Sequence, residues 1–275
     1  MSRLFDIITM ILPVLYAGTL GLYVRHFFES EDGERFWGSG LLYVLLLVHT
    51  GYLIVLAIWT DHFPIANQSE FFSVLSLSVG ATYGLAERRH REANTGIFFL
   101  AIVFLFALVA ALTSGDPGVI PDRSRNPVYG FHVIFTVFGF AGLTVSTIYA
   151  VMYILLNRQL KSRNLGLIFQ RLPALSTLEQ MSRLATTSGV LLLGVGLALG
   201  HYVALDQFQS LDLLSHPIIL VADIAWIGYL VGLIVARTKG LSGIRMGYLS
   251  VGGYFVFMTS LVVVLTQIGT FHAFG

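Results

Sequence analysis

The sequence predicts an all-α integral membrane protein, a bundle of about eight transmembrane helices with both termini on the extracytoplasmic side. Three observations predict it. Of 275 residues, 56% are apolar and 11% charged, with a mean hydropathy of +0.79, whereas a soluble domain carries about 25% charge. Apolar runs recur eight times along the chain, each near the ~20 residues that a hydrocarbon core of about 30 Å demands when every backbone N–H and C=O must be satisfied within its own helix. The positive charge is lopsided. Of the 16 Lys and Arg residues, Arg3, Arg123 and Arg125 fall on the side of the termini and all the others on the opposite side, which the positive-inside rule makes the cytoplasm.

The first span, near residues 5–24, is read as retained, because its apolar stretch is long and no small-residue cleavage site ends it. The second, 39–59, carries His49 at mid-depth. The third, 69–86, runs through FFSVLSLSVGATYGLAE, whose hydroxyls and glycines suit a helix packed among helices better than one facing lipid. The fourth (96–113) is apolar throughout, and the fifth (129–156) has His132 in its first turn. In the sixth (186–204), Gly194, Gly196 and Gly200 of GVGLALG read as small residues for helix packing; no strand precedes them, so a dinucleotide fingerprint is excluded. The seventh (217–236) opens on Pro217, as helix starts favour. The eighth covers 246–268. Between the fifth and sixth spans lies the longest hydrophilic excursion, residues 157–183, where Leu160, Leu165, Ile168 and Leu172 recur at helical spacing among basic residues. A helix lying on anionic headgroups and a plain connector are equally compatible with it. One membrane domain, residues 1–275, accounts for the chain.

A net charge of +1 provides no basic field for nucleic acid. The absence of cysteine excludes disulfides, thiolate metal sites and covalent haem attachment through the protein's own thiols. No Walker loop, HExxH or GxSxG is present, so the chain is expected not to be an enzyme of hydrolysis or phosphoryl transfer.

Ionisable groups at membrane depth are costly enough to mark functional candidates. His62, His132, His201, His216 and His272 fall at or near the outer surface by this topology, against His26 and His90 inside and His49 in between. Imidazole is an axial ligand of haem iron, and two on separate helices can clamp one iron from both faces. His132 and His272, the latter in the closing GTFHAFG, lie at one depth but far apart along the chain. No local spacing pairs them, and an outer-edge histidine is more often simply wet. His216 also reads as part of a helix start and His201, beside Tyr202, as part of an aromatic belt. A neutral imidazole at His49 needs a partner, more often an interhelical hydrogen bond than a metal. Asp223, about two turns into the seventh span, must be paired, protonated or facing a cavity. A transporter using His49 and Asp223 as a proton-coupled pair is a further reading.

Residues 61–76, DHFPIANQSEFFSVLS, resemble the outer loop and following helix of the CcsA/HemX family of cytochrome c assembly membrane proteins, with His62, Phe63, Pro64, Asn67, Glu70 and Ser76 at its fixed points. FHVIFTVFGFAGLTVSTIYAVMYILLNRQLKSR resembles the family's histidine-led helix with its basic end, and RLPALSTLEQMSRLATTSGVLLLGVGLALG the linker and helix after it. GLSGIRMGYLSVGGYF and FHAFG resemble the terminal pair of helices. The likeness covers roughly residues 40–275. It implies a multi-pass protein of the inner membrane that handles haem b, held non-covalently, at the outer face. His132 and His272 match the two histidines that flank the haem, and Phe131, Phe271 and Phe274 would form its apolar shell. The implied partners are haem itself, the lipid bilayer, and either other cytochrome c maturation membrane proteins or a haem-synthesis enzyme. Haem-presenting members carry a tryptophan-rich WWD segment before the seventh span. Here YVALDQFQSLDLLSHPIILVADIAW has no tryptophan until Trp226, and Ile234 stands where a further family histidine is expected. The likeness is therefore closer to the HemX-like branch, which implies a second reading: control of haem synthesis, through glutamyl-tRNA reductase, exerted by the cytoplasmic loops and above all by residues 157–183.

Overall fold

The computed structural model describes residues 2–29, 36–115, 120, 122–163, 166–208 and 217–267. Among these the chain is helical, with no strand: α1 (Ser2–Glu29), α2 (Gly38–Thr60), α3 (Gln68–His90), α4 (Gly96–Leu112), α5 (Pro127–Ser162), α6 (Leu167–Arg171), α7 (Leu175–Phe208), α8 (Pro217–Thr238) and α9 (Ile244–Gln267), with short 3-10 turns at Ala93–Thr95 and Asp122–Arg125. All eight expected segments are helical. Six stretches are long and apolar enough to cross a membrane: Phe5–Glu29, Gly38–Thr60, Ala93–Leu112, Pro127–Ser162, Leu175–Leu205 and Ile219–Thr238. The protein is a multi-pass membrane protein, and among the described residues six helices qualify as crossings by length and composition. α3 and α9 stand outside that set. α3 has the 23 residues of α2, but it contains Glu70, Glu87, Arg88 and Arg89 and buries Ser73, Ser76 and Ser78. Its polarity faces neighbouring helices, as the hydroxyl pattern predicts.

The excursion at 157–183 turns out differently from a surface helix. α5 simply continues past the apolar stretch to Ser162 and ends where Arg163 adopts a left-handed φ of 53°. α7 starts early, at Leu175, just after Pro173, and α6 is five residues long. Leu160 is exposed at the end of α5 and Leu172 is buried beyond α6, while Leu165 lies outside the described residues.

The chain forms two compact units, residues 1–126 with 170–173, and residues 127–169 with 174–275. In the first, α1 presents hydroxyls at heptad spacing, and each is used. Thr9 Oγ1 meets Tyr52 Oη at 2.7 Å, Tyr16 Oη meets His49 Nδ1 at 2.9 Å, and Tyr23 Oη donates to Glu87 Oε2 at 2.7 Å. Hydrogen bonds between helices substitute here for a hydrophobic effect that lipid does not provide.

In the second unit, α5 and α7 pack backbone against backbone. A Cβ on Gly139 would lie 2.5 Å from Leu193 N, and one on Gly142 2.8 Å from Gly189 Cα. Next to this contact Ser146 Oγ bonds Ser182 Oγ and Ser250 Oγ, each at 3.1 Å, and Thr186 Oγ1, joining α5, α7 and α9 through buried hydroxyls.

Candidate functional site

Two histidine centres occupy the first unit. His62 lies in the turn between α2 and α3, where Asp61 ends α2 in a left-handed conformation and Phe63 N donates to Ser124 O. Asn67 caps α3 by accepting from Glu70 N at 2.9 Å, a use of Asn at the N-cap that satisfies an orphan donor. Glu70, in the first turn, in turn accepts from Ala66 N at 2.8 Å and Asn67 Nδ2 at 3.0 Å, and its two oxygens lie 3.1 and 3.3 Å from His62 Nε2. His62 Nδ1 faces the Thr60 carbonyl at 3.2 Å. A carbonyl only accepts, so Nδ1 carries a proton, and a carboxylate on the other nitrogen favours a second one. The Glu70 hydrogen bond accordingly holds His62 above the usual histidine range, against the opposing cost of burial. Sequence inspection placed His62 at the outer surface and named both residues without pairing them. The structure buries both and joins them.

His49 is fully buried and satisfied on both sides, by Tyr16 Oη on Nδ1 and by Ser73 Oγ on Nε2 at 2.9 Å. The interhelical hydrogen bond expected for it is what the fold makes. We expect Tyr16→Phe to cost about 1–3 kcal/mol, because it strands one imidazole nitrogen in an apolar interior; thermal unfolding in detergent measures this, and a wild-type midpoint contradicts it.

The second unit holds His132, in the second turn of α5. Its Nδ1 donates to the Gly196 carbonyl of α7 at 2.7 Å, which fixes the tautomer and leaves the Nε2 lone pair for a ligand. Among the described residues no hydrogen-bond partner faces Nε2. Phe131 beside it is about half exposed. One residue beyond Gly200, His201 Nδ1 bonds the Leu197 carbonyl at 2.8 Å, and Nε2 bonds Asp223 Oδ2 of α8 at 3.0 Å. Asp223 is therefore paired with His201, as His49 is with Tyr16 and Ser73. His216, His272, Phe271 and Phe274 lie outside the described residues, so of the two expected haem ligands the structure places His132. No group of three or more His, Asp or Glu side chains suited to a metal ion occurs among the described residues, and a haem iron needs none, since one or two axial imidazoles suffice.

Comparison with known proteins bears on what such a site does. The family model described as Cytochrome C assembly protein matches residues 37–270. Protein HemX of Brevibacillus brevis is 24% identical over 217 residues, 75% of this chain and 79% of that protein. Inner membrane protein YpjD of Escherichia coli strain K12 is 25% identical over 248 residues, 87% of this chain and 89% of that one. Cytochrome c biogenesis protein CcsA of Gloeobacter violaceus is 28% identical over 134 residues, 46% and 39% of the respective chains. No solved structure matches.

Proposed function

Because this chain belongs to the Cytochrome C assembly protein family, we propose that it binds or passes haem at the outer face of a bacterial inner membrane, non-covalently as haem b, with His132 and His272 as axial ligands. The observation that carries this reading is the orientation of His132. A ligating imidazole uses one nitrogen for iron and donates the other N–H to a fixed acceptor, which sets the tautomer and raises basicity. The 2.7 Å bond from Nδ1 to the Gly196 carbonyl does this, so the donor present fits the group. Iron porphyrin would be the cargo. The chain's own part is to hold Nε2 unprotonated and to offer apolar surface at Phe131; with no cysteine it forms no thioether to haem itself. In the membrane, all eight long helices cross and both termini face outward, as the distribution of Lys and Arg directs, and one membrane domain of the cytochrome c assembly type spans the whole chain.

The missing tryptophan-rich segment favours a second reading, a HemX-like regulator of haem synthesis acting through its basic cytoplasmic loops, with glutamyl-tRNA reductase as the enzyme affected. Purification in detergent from cells supplied with haem separates the two. Wild-type protein should show a Soret band, and His132→Ala should lower haem content by about tenfold or more, the scale set by loss of an iron ligand; His272→Ala should also diminish it. A wild-type preparation without Soret absorption ends the haem reading and leaves regulation. Deleting residues 160–175 should then change the abundance of an early haem-synthesis enzyme, and unchanged abundance would remove that reading too.

A further inference from the structure

We propose that Gly200 of α7 is a positioning residue for His132, holding its ring in the one orientation that presents Nε2 to a haem iron; the inference rests on the haem reading above. A Cβ at position 200 would lie 2.6 Å from His132 Cε1, 2.7 Å from Nδ1 and 3.4 Å from Nε2. The imidazole thus lies directly against the α7 backbone. One turn earlier on the same helix face, the Gly196 carbonyl accepts the Nδ1 proton at 2.7 Å.

These restraints are complementary. The hydrogen bond decides which nitrogen bears the proton, and the contact with Gly200 decides the rotation of the ring about its Cβ–Cγ bond. A ring pushed away by a methyl group at 200 would have to lengthen or bend a bond that is already short, and Nε2 would turn with it. The other α7 glycines meet different neighbours: Gly189 faces the backbone of α5 at Gly139 and Leu143, Gly194 the indole of Trp226, and Gly196 the backbone and hydroxyl of Thr136. Those contacts are what helix packing requires. The nearest atoms to Gly200 belong to His132 alone, so GVGLALG has a packing part and a part that addresses the ring. This stretch of α7 is itself held: His201, the next residue, bonds Asp223 of α8 and the Leu197 carbonyl one turn earlier, which fixes the backbone that the ring leans on.

The test compares wild-type protein with Gly200→Ala and with Gly139→Ala, a substitution in the same α5–α7 contact that would crowd Leu193 backbone and not the imidazole. Haemin is titrated into each purified full-length protein in detergent, with the absorption and low-spin electron paramagnetic resonance spectra of the complex recorded alongside thermal unfolding. Gly200→Ala should weaken haem binding by about tenfold, the lower end of the effect of losing an orienting partner, and change the iron's spin-state signature. Gly139→Ala should lower the unfolding midpoint and leave the signature as in wild type. The proposal is overturned if Gly200→Ala binds haem with wild-type affinity and spectrum, or if Gly139→Ala reproduces its spectral change. Wild-type protein that takes up no haem instead removes the reading on which the proposal stands. A measurement on the wild type guards against a variant that does not fold: nitrogen-15 histidine resonances should show His132 as the neutral tautomer protonated on Nδ1, and averaging between tautomers would refute the restraint.

Discussion

Glu70→Ala should destabilise the first unit by about 3–5 kcal/mol, the cost of breaking a buried ion pair by removing one partner. The carboxylate serves three donors at once, His62 Nε2, Ala66 N and Asn67 Nδ2. Its removal leaves a buried imidazole, 1% of whose side chain is exposed, and a backbone N–H without their acceptor, in a turn that links α2 to α3. Glu70→Gln keeps the volume and some hydrogen bonding and should fall between wild type and alanine. The same pair gives a pH signature. Because the folded state holds His62 above its unfolded value of about 6.5, its contribution is complete below that value and is lost as pH rises through the elevated folded value. Thermal unfolding of the full chain in detergent should therefore show stability declining with pH across this window in wild type, and a flatter profile in Glu70→Gln. A Glu70→Ala midpoint equal to wild type, or parallel pH profiles, would show that the pair is not formed.

The second large effect is expected from Gly189→Leu. At this position a Cβ alone would lie 2.9 Å from Gly139 O and from Leu143 N, and 3.1 Å from Gly142 C. These are backbone atoms of α5, so no side-chain rotation can relieve the clash, and three further carbons would follow the first. Overpacking of ordinary cores costs about 1–3 kcal/mol because neighbours shift. Here the shift is a separation of two long helices that would also pull Ser182 and Thr186 from Ser146. The variant should fail to accumulate as monodisperse protein in detergent, while Leu191→Ala, two residues on and exposed, should behave as wild type. Wild-type yield and midpoint for Gly189→Leu would mean that α5 and α7 do not meet at these glycines.

Much of this molecule is legible without coordinates, and the reasons are physical. A helix must satisfy its own backbone in hydrocarbon, so apolar runs of sufficient length announce themselves; among the described residues the eight expected segments are helical. The hydroxyl pattern of α3 foretold a helix facing other helices. What lay beyond reading were pairings whose partners are remote in sequence. Nothing local says that Tyr16 reaches His49, that Tyr23 reaches Glu87, or that Asp223 bonds His201, because each bond joins different helices. His62 and Glu70 stood within eight residues, and a charged group retained beside a helix cap in so apolar a chain was the signal that could have paired them. For residues 157–183 the sequence left a surface helix and a plain connector equally open, because leucines at helical spacing imply one amphipathic helix only if the chain does not break between them, and α5 ends at Ser162.

The sequence by itself determined the solvent, the secondary structure and the chemistry available: an apolar helical chain without thiols and with eight imidazoles. Those properties follow from composition and from the short-range geometry of the helix. Tertiary structure decided which of the described imidazoles are already spent and which keep a nitrogen, among them His90, whose Nε2 is buried without a partner, and His132. His49 and His62 have both nitrogens occupied, whereas His132 keeps Nε2 because the α7 backbone takes its other proton. That distinction depends on a carbonyl 64 residues away, brought within hydrogen-bond reach because glycines let two helices touch.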